Sequence, residues 1–134
     1  MPPFEEIDHT ADWAFRVSAS SQGELFVEAA QAVYQLGGIQ TDPMEGSPRT
    51  IRLQADDPEG LFISWLNELL FLVEHERIAL RGIRIEKLGD GSLTATGRPS
   101  TVTAAGKYIK AATYSDLRIA ETDGVWRATV VLDV

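Results

Sequence analysis

The chain has 134 residues, 44% of them apolar, and a formal net charge of −8, which is the size and make-up of one folded domain spanning 1–134. It has no cysteine and only two histidines, which excludes disulfides, zinc fingers, iron–sulfur clusters, a thiol nucleophile and a His-rich metal site. Acidity of this order repels phosphate backbones, so tight direct binding of nucleic acid is not expected; a basic protein partner or a hard divalent cation suits the charge better.

The start, Met1-Pro2-Pro3-Phe4, lacks the basic and apolar segments of a signal peptide. Phe4 to Ile7 is a candidate short strand. Trp13 to Ser18 alternates, with Trp13, Phe15 and Val17 on one side, and predicts a strand. Ser21-Gln22-Gly23-Glu24 is a capping-box pattern. Leu25, Phe26, Ala29, Ala30, Val33 and Leu36 follow it at helical spacing, and Gly37-Gly38 ends the helix. Gly37 to Pro48 holds three glycines and two prolines and reads as a loop. Arg49 to Ala55 is the next strand. Asp57-Pro58 opens a second helix running to about Glu76, with Asp57 as cap and Pro58 in the first turn. Its apolar residues cover a broad arc, so it is expected to lie buried across a sheet. The longest strictly apolar run, Leu69 to Val73, is far short of a membrane span, so a cytoplasmic protein without membrane contact is expected. Ile83 to Leu88 and Ser92 to Gly97 flank Gly89-Asp90-Gly91, a hairpin signal. Ala112 to Ala120 and Val125 to Leu132 flank a second, Asp123-Gly124. Two helices interrupting a run of strands predict an α+β fold, with the helices packed on mostly antiparallel sheet.

Four constellations can carry chemistry. His9-Thr10-Ala11-Asp12 allows a carboxylate ligand at Asp12 with His9 nearby, though on spacing alone a turn whose Asp and Thr bond to local backbone is the commoner case. Glu68 falls at the edge of the second helix's apolar arc, with His75 about 20° around from it; it is either a half-buried carboxylate able to meet a cation or a solvated border residue. Lys110 shares an extended face with Ala112 and Tyr114, suited to a phosphate or simply exposed. At the end of the chain Trp126, Ala128, Val130, Leu132 and Val134 alternate onto one face, and Asp133 onto the other. Asp133 and a terminal carboxylate so close together would repel unless a cation or proton intervenes; a frayed end is the plainer alternative. Phosphate-loop, serine-hydrolase and zinc-protease motifs are absent.

In order along the chain, Phe4-Glu5-Glu6-Ile7-Asp8-His9-Thr10-Ala11-Asp12, Glu24-Leu25-Phe26-Val27-Glu28-Ala29-Ala30, Trp65-Leu66-Asn67-Glu68-Leu69-Leu70-Phe71, Lys110-Ala111-Ala112-Thr113-Tyr114 and Asp133-Val134 resemble the archease family. One departure is Ser115, where the family usually has histidine. The resemblance implies a single archease-like sandwich domain that acts, without being an enzyme, on an RtcB-type RNA ligase. Such a ligase seals tRNA exon halves and other broken RNAs through a GMP adduct on its own histidine. The family promotes formation of that adduct and multiple turnover. By motif, Asp12, Asp133 and Val134 would hold a divalent cation (Ca²⁺, Mn²⁺ or Mg²⁺), Val134 through a main-chain or terminal oxygen. Lys110, His9 and Glu68 would belong to the ligase-activating patch. A small metal-dependent phosphohydrolase using Asp12 and Asp133, or a chaperone-like binder of RNA-modifying enzymes, are the competing functions.

Overall fold

Both helix starts expected from the sequence occur in the computed structural model, which describes residues 4–7 and 13–134, without the side chains of 5–7, 115 and 116. Helix α1 runs Gln22–Leu36, and the Ser21 hydroxyl accepts from the Glu24 N–H at 3.1 Å. The second half of the expected capping box differs. The Glu24 carboxylate reaches past Ser21 and accepts from the Ser20 hydroxyl at 2.7 Å. The helix closes with paired bonds, Gly38 N–H to the Gln35 carbonyl at 3.1 Å and Ile39 N–H to the Tyr34 carbonyl at 3.0 Å. Only Gly38 takes the left-handed conformation, at φ 62°, so the stop signal resides in the second glycine.

Helix α2 runs Pro58–Phe71, with the Asp57 carboxylate accepting from the Gly60 N–H at 2.7 Å. It does not continue to Glu76 as regular α-helix. Leu72–Glu76 form a π-helical turn, and Arg77 ends it at φ 57°. The wider turn shifts the residues after Phe71 off the projected stripe.

The strands form two sheets, and all their pairings are antiparallel. The first holds β1 (Phe4–Ile7), β2 (Trp13–Ala19), β8 (Val125–Asp133) and β7 (Ala111–Thr122) in that spatial order. The second is built on β6 (Ser92–Ala104). β5 (Ile78–Leu88) lines one edge of β6, while β3 (Gln40–Pro43) and β4 (Arg49–Gln54) share the other. β3 falls inside the stretch expected to be a loop. Its Gln-Thr-Asp-Pro sequence is largely exposed and carries no apolar alternation to reveal it. β5 starts earlier than expected for a similar reason. The register jumps from Arg81↔Arg98 to Arg84↔Thr96, and a bulge of this kind breaks the period of two.

The helices lie between the sheets, α1 against β2 and β5, α2 against β7 and β4. This accounts for the broad apolar arc of α2, which must meet protein on several sides. Phe15, Phe26, Phe62 and Trp65 are fully buried in one core. The Phe26 and Phe62 rings meet edge to face with centroids 5.0 Å apart, and the Trp65 indole donates to the Phe26 carbonyl at 2.9 Å, so the two helices are bonded as well as packed.

Candidate functional site

The segment between β6 and β7 crosses the end of the first sheet and is tied down on four sides. The Gly106 and Lys107 N–H groups both donate to the Gly37 carbonyl at 3.0 Å, at the C-terminus of α1. There the chains are too close for a side chain, since a Cβ on Gly38 would stand 3.1 Å from the Gly106 backbone. The Lys107 ammonium lies 4.2 Å from the centre of the Trp13 ring at the start of β2. The Tyr108 hydroxyl donates to Glu74 in the π turn at 3.2 Å. The Lys110 N–H donates to the Asp133 carbonyl at 2.8 Å. Beneath the segment, Val33, Leu70, Val73 and Ile109 wall a cavity of about 180 Å³.

Lys110 and Asp133, predicted from separate motifs, therefore meet at one strand end. Trp13 pairs with Leu132, so β2 begins at this same end. Asp12 and His9 lie outside the described residues. Asp133 is half-buried. The Tyr108 hydroxyl titrates above the ordinary tyrosine range through local desolvation first, then the bond to Glu74 and the charges of Glu74 and Asp133. Among the described residues no three His, Asp or Glu side chains stand together. The donors present, a carboxylate and main-chain oxygens, are of the hard kind that calcium- or manganese-type cations take.

One expectation changes. Ala128, Val130 and Leu132 are buried as the alternation requires, but Val134 is 40% exposed beyond the end of β8. Glu68 is half-buried on α2, and its charge acts on Arg49 of β4. Glu76 first, and then Glu68, hold the Arg49 guanidinium above its usual range, and Arg49 makes a two-pronged pair with Glu76 at 3.0 and 3.1 Å. His75, in the π turn, stacks on Phe71, ring centres 4.5 Å apart.

The sequence reading missed Asn67. Its amide accepts from the Ala112 N–H at 2.7 Å and donates to the Ala112 carbonyl at 3.2 Å, fastening β7 to α2 two residues from Lys110. The available signal was a polar amide, a weak helix former, inside the apolar run of α2. Asn67→Ala is expected to cost about 1–3 kcal/mol, because two backbone groups of a buried residue lose their partners. Urea denaturation measures this, and an unchanged midpoint would count against the role.

These features define a small α+β domain in which Lys110 and Asp133 meet at an open sheet end. The chain belongs to the archease family, matching the Archease protein family over residues 4–134. It is 34% identical over 140 residues to the archease of Methanosarcina barkeri, covering 98% of this chain and 95% of that protein. It is also 34% identical over 137 residues to that of Archaeoglobus fulgidus, covering 96% of each. The fold is similar to the crystal structure of an archease from Thermotoga maritima, described as a possible chaperone, with a TM-score of 0.73, 26% identity, and 97% and 96% of the two chains covered. A Methanobacterium thermoautotrophicum protein solved in solution is similar at a TM-score of 0.74 and 26% identity, with 100% of both chains covered. Among the described residues no helix is long and apolar enough to cross a membrane.

Proposed function

We propose that this protein is a non-enzymatic activator of an RtcB-type RNA ligase, promoting guanylylation of the ligase histidine and its repeated turnover. The observation that supports this most directly is the 2.8 Å bond joining Lys110 to Asp133, since it unites two family motifs at an exposed strand end. In this reading Asp12, Asp133 and a main-chain or terminal oxygen of Val134 hold a divalent cation, which supplies positive charge at that edge. Lys110 reaches toward the ligase or a phosphate, with His9 and Glu68 contributing to the same face. The acidic chain leaves the RNA to the ligase.

The decisive experiment is guanylylation of the cognate ligase with and without this protein. Faster adduct formation is expected. No effect on the adduct, or phosphatase activity in the protein alone, overturns the proposal, the latter in favour of a phosphohydrolase. A chaperone-like reading has one observation behind it, the exposed rings of Phe71, Tyr108 and Tyr114, which offer apolar contact to a folded partner. It predicts dependence on those rings and not on the carboxylates.

Lys110 separates the readings further. It is exposed and its tie to Asp133 is through the backbone, so Lys110→Ala should leave the melting temperature nearly unchanged. Ligase guanylylation should fall about tenfold, the equivalent of one charge-assisted contact. A variant that unfolds early would make Lys110 structural; a stable, fully active one would remove it from the interface.

A further inference from the structure

Away from the sheet end, Arg81 on β5 and Arg98 on β6 are direct register partners. Like charges set opposite each other on antiparallel strands repel. No carboxylate pairs with either among the described residues. Arg81 is nevertheless held rigidly. Its Nε and Nη2 donate to the Thr41 hydroxyl at 3.3 and 3.2 Å, and its guanidinium carbon stands 5.5 Å from the centre of the Tyr34 ring. Arg98 lies over Gly82, where a Cβ would come within 3.4 Å of its Nε and Nη2.

Both arginines line a cleft of about 360 Å³ together with Thr41, Ser100, Pro43 and Met44. Ser100 is a buried polar residue, 5% exposed. Its hydroxyl reaches the cleft and makes no hydrogen bond to another described residue. The cleft thus combines two uncompensated cations, one of them preorganised, with a hydroxyl that has no partner.

We propose that this cleft binds the phosphoryl group of a small phosphate monoester. Two guanidiniums match the charge of a phosphoryl dianion, about −1.5 to −2 at neutral pH, whereas a carboxylate would leave much of the repulsion standing. The planar guanidinium fork suits the spread oxygens of phosphate. Thr41 accepts from Arg81, so its own proton is free to donate to an anion, as is that of Ser100. The cleft exceeds a bare phosphate, and Pro43, Met44 and Pro99 give a small organic group an apolar wall. Asp42, between Thr41 and Pro43 on β3, does not line the cleft. A long polyanion would still meet the repulsion of a chain carrying −8, and this favours a small ligand over RNA.

The test is calorimetric titration of the full chain with inorganic phosphate, glycerol 3-phosphate and succinate. Both phosphates should bind, the monoester more tightly, and succinate should not. Arg98→Ala should weaken phosphate binding at least about tenfold, by loss of a charge-assisted contact. Ser100→Ala, which keeps both charges, should weaken it severalfold. In phosphate-free buffer Arg98→Ala should melt no lower than the parent, since its removal relieves the repulsion, and added phosphate should raise the melting temperature of the parent alone. Failure of the parent to bind phosphate at millimolar concentration, equal affinity in Arg98→Ala, or equal binding of succinate overturns the proposal. Arg98-dependent binding of single-stranded RNA with no binding of glycerol 3-phosphate overturns the small-molecule assignment.

Discussion

Asp133→Asn is expected to lose at least about 100-fold in affinity for Ca²⁺ or Mn²⁺, since even residues that only support a ligand are worth 10–100-fold. The amide keeps the size of the side chain but gives up its charge, and hard cations are held by charge as much as by geometry. The fold should tolerate the change, because Asp133 is tied to Lys110 through its main-chain carbonyl, which asparagine retains. Asp12→Asn should behave alike under the proposed ligand set. Calorimetric titration with each metal checks this, and unchanged affinity in both variants would remove the carboxylates from the site. Ligase guanylylation should fall in parallel with the metal affinity.

The other large effect is on stability. Trp65→Ala should cost about 3–5 kcal/mol, the usual range for deleting a fully buried large aromatic side chain. That is a large share of the roughly 5–15 kcal/mol that holds a domain folded. Trp65 is completely buried and its indole N–H is bonded to the Phe26 carbonyl at 2.9 Å, so the loss includes both area and a link between α1 and α2. Trp65→Phe keeps most of the area and should cost less. Urea denaturation should show a lower midpoint at an unchanged slope; a midpoint within error of the parent would contradict the packing described.

The elements that could be read in advance share one property, an energetic signal that is local in sequence. Ser21 and Asp57 mark helix starts by side-chain oxygens that accept a first-turn N–H, and Gly38 marks a helix end by a left-handed conformation that few other residues adopt as cheaply. Phe15 and Val17 mark a core-facing strand because one side of the sheet is buried. β3 escaped because its stability comes from pairing with β6, not from its own side chains. The π turn escaped because nothing in Leu-Val-Glu-His-Glu distinguishes one backbone hydrogen-bond register from the next. In the site, Lys110 and Asp133 were legible as motifs, and their contact was not. It follows from the register Ala111↔Asp133, which lies beyond a four-against-one irregularity that the alternation of the two strands cannot reveal. Glu68 was placed at the edge of its helix, but the charge it acts on, Arg49, comes from β4, which helical periodicity cannot reveal.

The fastening of β7 by Asn67 bears on how the molecule coexists with its own copies. β7 is one of the two outer strands of its sheet, and a bare outer strand is a template onto which a second chain can add. At Ala112 both outward backbone groups are already taken by the Asn67 amide. A few residues further on, four residues of β7 stand opposite one of β8, between the pairs Thr113↔Val131 and Arg118↔Thr129. An irregularity of that size bends the strand out of the straight path an incoming ladder needs. One side chain and one bulge thus make the β7 border a poor template for a second chain, while the strand end with Lys110 and Asp133 stays open.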